Sequence, residues 1–293
     1  MRQLIAKGLI NTLPVVLKPK GVYRAAEGIS AALLRGKEKR LRADVERMFA
    51  DRDAAWIDDV VRRQRITRAW VALDKTMFPR LGGDELVRLT DPASIVAARK
   101  VCDDALAAGN GGIIYSMHYG RPILSPFVLA HLGYPYVTIR AGTNTNELDT
   151  NAVSHAKTVG IELLEASELS AGVQAMRALK RNKLFFVLVD GGRTEQRAMV
   201  DFMGQKLAVA IGFAQLAKRT GAALIAGVTY SDEPLRFRMA PERVVLPDGD
   251  VSPTELAAIL ARPLERMVSE DVGQWYGINR MFRLARRAER DTE

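Results

Sequence analysis

The chain has 293 residues, 48% hydrophobic and 26% charged, and its 43 Lys and Arg against 34 Asp and Glu give a formal charge of +9. That balance excludes a disordered, collagenous or low-complexity chain and suffices for a large core. One cysteine, Cys102, excludes an internal disulfide, and three histidines without the H-x-x-x-H spacing of a helical zinc site argue against a metal centre.

Met1 to Leu17 has the charge and apolar character of a weak signal peptide. Asn11 and Pro14 break its apolar run and no small-residue cleavage pattern follows, so it is expected to be retained. No stretch approaches the roughly 18 apolar residues that a membrane-spanning helix needs. The expectation is a cytoplasmic protein, soluble or peripheral on the inner face of the cell membrane.

Residues 1–90 read as a helical N-terminal segment. Val22, Ala25, Ala26, Ile29, Ala32 and Leu33 share one helical face, and Trp56, Ile57, Val60, Val61, Trp70, Leu73 and Met77 form a second stripe. Ile5, Leu9 and Leu13 lie four apart beside basic residues, a pattern suited to core packing or to a membrane interface.

From residue 91 the pattern changes to an α/β core over 91–293. Asp91-Pro92 is a helix start, with an N-cap acid and Pro at the first helical position. The helix runs to Gly109-Asn-Gly-Gly112 and is followed by an apolar strand, Ile113 to Met117. Tyr136 to Ile139 reads as a strand and Gly142 to Asn146 as a polar loop. Val153 to Val159 and Ser170 to Arg181 read as helices. Leu184-Phe-Phe-Val-Leu-Val189 is a continuous apolar run, as in a parallel strand covered on both faces. Ala208 to Arg219 reads as a helix, Ala222 to Tyr230 as a strand and Leu235 to Val245 as sheet edge. Ser252-Pro-Thr-Glu255 is a capping box opening a last helix. The expected architecture is α/β: a mainly parallel or mixed central sheet flanked by helices, with the N-terminal helices packed on it as one structural domain.

Positive charge gathers at Arg35 to Arg42, at Arg177 to Lys183 and at Arg280 to Arg290. Such clusters suit an anionic membrane surface, an acidic carrier protein or nucleic acid. Aromatics do not interleave with them as single-strand stacking requires. Two polar residues fall at strand ends, where α/β sheets place their sites: His118 and Asp190. Each also has a structural reading, His118 as a satisfied core histidine and Asp190 as a turn cap. Gly111-Gly112 lacks the Lys-Ser/Thr of a P-loop, and no G-x-S-x-G elbow exists.

The order of these segments carries a resemblance. Ala108-Gly-Asn-Gly-Gly-Ile-Ile-Tyr-Ser-Met-His-Tyr-Gly-Arg121 resembles the first block of the late acyltransferases of lipid A biosynthesis, in the wider lysophospholipid acyltransferase superfamily. Val137-Thr-Ile-Arg140, Leu179 to Asp190, Val200-Asp-Phe-Met-Gly204, Leu216-Ala-Lys-Arg-Thr-Gly-Ala222, and Gln274-Trp-Tyr276 with Arg280-Met-Phe-Arg283 are similar to further blocks in the same order, over about residues 20–285.

The resemblance implies acyl transfer from a thioester on acyl carrier protein or coenzyme A to a hydroxyl or amine of a lipid or small amphiphile, without cofactor or metal. His118 would be the general base. The acid of the family's H-x-x-x-x-D/E motif falls at Ile123, which cannot accept the imidazole N–H. Asp190, Glu147, Asp149 and Glu165 are the candidates to replace it, Asp190 being the one assigned with His118. Main-chain N–H groups near Gly120, or an Arg, would stabilise the oxyanion. Arg121 beside His118 would keep it neutral, and Arg140 or Arg193 would hold a phosphate or carboxylate. Two other readings stay open: aminoacyl transfer from a charged tRNA, and a catalytically degenerate protein that binds lipid or a partner, which Ile123 favours.

Overall fold

The computed structural model describes residues 18–140, 147–165, 171–190 and 196–290. Residues 1–17, expected to be retained, the loop 142–146 and Arg193 lie outside the described residues.

Two long helices lead, α1 (Pro19–Met48) and α2 (Ala54–Arg88), followed by α3 (Pro92–Ala107). Asp53 caps α2 by accepting from Trp56 N, and Asp91 caps α3 by accepting from Ser94 N at 2.7 Å. Strand β1 (Gly112–Ser116) comes next, then α4 (Leu124–His131), β2 (Tyr136–Arg140), α5 (Glu147–Thr158), β3 (Glu162–Glu165) and α6 (Ala171–Lys180). The second half runs β4 (Leu184–Leu188), β5 (Arg197–Phe202), β6 (Gln205–Ala210), α7 (Gly212–Thr220), β7 (Ala223–Glu233), β8 (Arg236–Val244), α8 (Pro253–Glu270) and α9 (Ile278–Arg290). Ser252 caps α8 by accepting from Glu255 N, as its sequence predicts.

The fold is α/β with a mostly parallel central sheet of order β3-β2-β4-β1-β7-β8. All neighbours are parallel except β8, which runs antiparallel to β7 at the edge. Period-two alternation divides the strand residues between two cores. Ile113, Tyr115 and Met117 face one core together with Phe185, Val189, Leu224 and Ala226. Ile114, Leu184, Phe186, Ala223 and Ile225 face the other, against α3 and α4. Burial on both faces explains why β1 and β4 read as unbroken apolar runs. A smaller cluster of Val22, Tyr23, Trp70, Leu73 and Met77 joins α1 to α2.

One expected element is corrected. The helix read over Ala208 to Arg219 begins only at Gly212, and Ala208 to Ala210 belong to β6 of an antiparallel hairpin with β5. Its two-residue loop, Met203-Gly204, has positive φ at both positions (50° and 77°), the type I′ geometry that matches strand twist. A short apolar run such as Leu207-Ala-Val-Ala-Ile has no period that separates strand from helix, and hairpin pairing decides it. Three further elements give weak signals in sequence: β3 has only four residues, α4 lacks a side-chain cap, and α9 is dominated by arginine.

Candidate active site

Strands β1 and β4 pair in parallel with a constant register, from Gly112↔Leu184 to Ser116↔Leu188. Val189 N continues the ladder to Ser116 O at 2.8 Å. Two residues beyond Ser116 and Leu188 stand His118 and Asp190, side by side at the carboxyl ends of adjacent strands. His118 Nδ1 lies 2.8 Å from Asp190 Oδ1, and His118 N donates to both carboxylate oxygens at 3.0 Å. The Asp190 side chain is 0% exposed and that of His118 is 16% exposed. A carboxylate that already accepts a main-chain N–H fits the tautomer with the proton on Nδ1. Nε2 of such a ring is then unprotonated and able to take a proton.

The segment Tyr276-Gly277 closes over this pair. Gly277 N donates to His118 O at 2.9 Å, and a Cβ at Gly277 would overlap Asp190 Oδ2 and crowd His118 Cβ. The Tyr276 ring stands edge-on to the imidazole with centroids 5.9 Å apart. Burial pushes the Tyr276 hydroxyl above its ordinary range; the Asp190 charge adds to this, and Arg280 and Arg68 oppose it. Arg68, from α2, donates to Tyr276 O at 2.7 Å. Sequence reading assigned no role to Gly277, Tyr276 or Arg68. Their one signal was the Gln274-Trp-Tyr276 block, which by itself says nothing about what it touches.

The main chain around Gly120, expected to offer donors to an oxyanion, is hydrogen-bonded within the fold. Gly120 N donates to Gln274 O at 3.0 Å, Tyr119 N to Met117 O at 2.8 Å and Arg121 N to Thr229 O at 3.0 Å. With His118 N bound to Asp190, none of these main-chain donors is left to meet an oxyanion. Gly120 is required for another reason: φ is +50°, and a Cβ would overlap Thr229 O.

Arg121, expected near His118 and the substrate, turns into the interior. Its side chain is 0% exposed and forms an ion pair with the equally buried Asp74 of α2. Nε donates to Asp74 Oδ2 at 2.6 Å, and Nη1 to Ser231 Oγ and Pro234 O at 3.3 and 3.1 Å. Tyr23 OH donates to Asp74 at 2.7 Å, and the rings of Tyr23, Trp70, Phe78 and Phe237 surround the guanidinium within 6 Å. Burial pulls Arg121 toward neutrality; the Asp74 charge and hydrogen bonds outweigh this, so its pKa stays above the ordinary value. The same burial pushes Asp74 up against the pull of Arg121 and Tyr23. A lone buried charge would be prohibitive, so this pair ties α1 and α2 to the loop after β1 and to the β7–β8 turn.

Arg140 ends β2, beside β4, and its side chain lies outside the described residues, as does all of Arg193. The side chains of Glu147, Asp149 and Glu165 are also outside them. Glu165 ends β3, three strands from β1. Ile123 stands before α4, partly buried against the second core. Among the described residues, no group of three or more His, Cys, Asp or Glu is arranged to hold a metal, and no helix is long and apolar enough to cross a membrane.

The family model of bacterial lipid A biosynthesis acyltransferases matches residues 8–284. Two curated relatives are phosphatidylinositol mannoside acyltransferases of Mycobacterium tuberculosis, from strains CDC 1551 / Oshkosh and ATCC 25618 / H37Rv. Each is 25% identical over 150 residues, which is 50% of this chain and 47% of the relative. The match thus spans about half the length of these relatives.

Proposed function

Because the chain belongs to the bacterial lipid A biosynthesis acyltransferase family, we propose that it transfers an acyl group from a thioester donor to a hydroxyl or amine of a lipid or amphiphilic acceptor, with His118 as general base and Asp190 as its orienting acid. The observation that carries this reading is the 2.8 Å contact between His118 Nδ1 and Asp190 Oδ1 at the ends of β1 and β4.

The chemistry follows from that contact. Nε2 takes the proton of the acceptor as its oxygen or nitrogen attacks the thioester carbonyl. The buried Asp190 carboxylate stabilises the imidazolium so formed. The tetrahedral intermediate then collapses, the carbon–sulfur bond breaks, and the leaving thiolate takes the proton from His118. Base catalysis of this kind contributes about 10²- to 10⁴-fold. With the main-chain N–H groups of 118–121 engaged within the fold, oxyanion stabilisation falls to a side-chain cation, and Arg68 reaches the segment over the dyad through its bond to Tyr276 O. The acyl chain needs an apolar groove, since its burial is worth about 0.8 kcal/mol per CH₂. The donor is carried by acyl carrier protein or coenzyme A, and the basic surface of the chain docks it or an anionic bilayer.

The test is incubation of the purified protein with acyl carrier protein and coenzyme A thioesters, a membrane lipid extract and hydroxyl or amine acceptors, followed by mass spectrometry. Acyl transfer that disappears in His118→Ala is the expected result. Transfer that persists in His118→Ala would overturn the assignment of the base, and no transfer from any thioester would overturn the reaction.

A further inference from the structure

We propose that Gln274 is a positioning residue for the His118–Asp190 dyad, seating the strap Asp271–Gly277 across the end of β1 and so fixing the imidazole against the carboxylate. Gln274 ends a single 3₁₀ turn, Val272–Gln274, between α8 and α9, and is 3% exposed. Its hydrogen bonds go to neither member of the dyad but to the segments around it. Oε1 accepts from Ser231 N at 2.9 Å, where β7 breaks register between Tyr230 and Glu233. Nε2 donates to Asp271 Oδ2 at 2.9 Å and to Asp232 Oδ1 at 3.5 Å. The main-chain carbonyl accepts from Gly120 N and from Tyr276 N, both at 3.0 Å.

The side-chain bonds set where that carbonyl stands, and the carbonyl sets where His118 stands. Gly120 N donates to Gln274 O, and Gly277 N donates back to His118 O. The two bonds run in opposite directions between the same two segments and close a ring around His118–Gly120 and Gln274–Gly277. Neither glycine leaves slack. A Cβ at Gly120 would overlap Thr229 O and crowd Gln274 Oε1, and one at Gly277 would overlap Asp190 Oδ2. His118 is thus held at its carbonyl by the strap and at its N–H by Asp190. With both main-chain groups fixed, the 2.8 Å approach of Nδ1 to Asp190 follows. Helix α2 holds the same strap by Gln64 Nε2 to Val272 O at 3.3 Å, by the Arg63–Asp271 ion pair and by Arg68 to Tyr276 O at 2.7 Å. Those bonds tie the strap to α2, whereas Gln274 ties it to β7 and to the loop that carries His118. That this placement serves acyl transfer rests on the reading above; that Gln274 provides it does not.

The test uses the full chain with 15N-labelled histidine, whose ring nitrogen shifts at alkaline pH report the tautomer, beside steady-state acyl transfer. The chain has three histidines, and His118→Ala identifies the signals of position 118. Wild type is expected to hold the proton on Nδ1. Gln274→Met keeps the shape and loses the side-chain hydrogen bonds. It is expected to move the His118 signals toward the mixed tautomers of a free imidazole, and to lower kcat about tenfold to a hundredfold with KM little changed. Gln274→Glu keeps the acceptor for Ser231 N but sets a carboxylate against Asp271 and Asp232, and the same defect is expected. Adding Asp271→Asn restores a donor and an acceptor across that contact and is expected to recover most of both readouts. Thermal melts check folding, and where Gln274→Met does not fold, Gln274→Glu with and without Asp271→Asn decides. Wild-type ring signals in a folded Gln274 variant, whatever its kcat, overturn the proposal and leave the glutamine as core filling. Mixed tautomers in wild type remove the dyad and the proposal with it. Altered signals in the variants of a protein that transfers from no thioester would keep the positioning role and remove the acyltransferase reading.

Discussion

Gly277 N–H donates to the carbonyl of His118 at 2.9 Å, in a space that no side chain at position 277 could share with Asp190. The last quarter of the chain thus completes a site whose two polar groups come from strands far earlier. Gly277→Ala is expected to push the Asp190 carboxylate off the imidazole. Overpacking of this kind costs about 1–3 kcal/mol of stability. The expected signature is a large loss of kcat in a variant that still folds, measured by steady-state acyl transfer beside a urea melt. Wild-type kcat in Gly277→Ala would show that the dyad tolerates displacement.

Asp190→Asn keeps the shape and loses the charge. An amide can still accept the His118 main-chain N–H, yet it does not stabilise imidazolium. The expected drop in kcat is about 10²- to 10⁴-fold, with KM for either substrate changed far less. Single-turnover kinetics would separate this from slowed binding.

Ile123→Asp restores the acid at its usual motif position. Since Asp190 already holds Nδ1 at 2.8 Å, the new carboxylate gains no contact with the base. Neither the single variant nor Ile123→Asp combined with Asp190→Asn is expected to raise activity over its parent. Recovery of the double variant to near wild-type rate would show that position 123 can still reach the imidazole.

Removing one partner of the buried Asp74–Arg121 pair leaves the other charge stranded. Asp74→Leu or Arg121→Met is expected to cost about 3–5 kcal/mol, and the combined Asp74→Leu/Arg121→Met substantially less than the two singles together. Urea unfolding of the four proteins makes the double-mutant cycle. Additive losses would mean that the two side chains act independently.

Burial pushes the Cys102 thiol up to about 12, with Asp103 adding to the effect. In the unfolded chain a thiol ionises near about 8.5. The folded state therefore holds the proton longer, and its stabilising contribution is complete below about pH 8.5 and lost as pH rises toward 12. The urea midpoint is expected to fall from pH 9 to 11, and to fall less steeply in Cys102→Ala. Equal slopes would remove Cys102 from the alkaline loss. Below pH 8 the folded protein should resist maleimide labelling.

Much of the fold was legible in the chain because burial writes a local pattern. Leu184 to Val189 is apolar at every position since both faces of β4 are covered, and Asp91-Pro92 and Ser252-Pro253 announce helices through groups that satisfy their own first turns. Strand ends place sites, so His118 and Asp190 were legible as separate candidates. The hairpin β5–β6 was not, because its apolar half carries no period of its own and its register comes from the partner strand.

The sequence by itself determined the α/β pattern, the absence of an acid at position 123 and the presence of a histidine and an aspartate after apolar strands. Only the tertiary structure decided that β4 lies beside β1 in a register that brings Asp190 to His118 across 72 residues. It also decided that Arg121 turns into the interior toward Asp74 and that the Gly120 N–H is spent on Gln274. The reason is physical. Apolar burial and capping depend on near neighbours and leave a local trace, whereas strand order, a buried ion pair and the fate of a main-chain donor depend on partners that chain distance does not reveal.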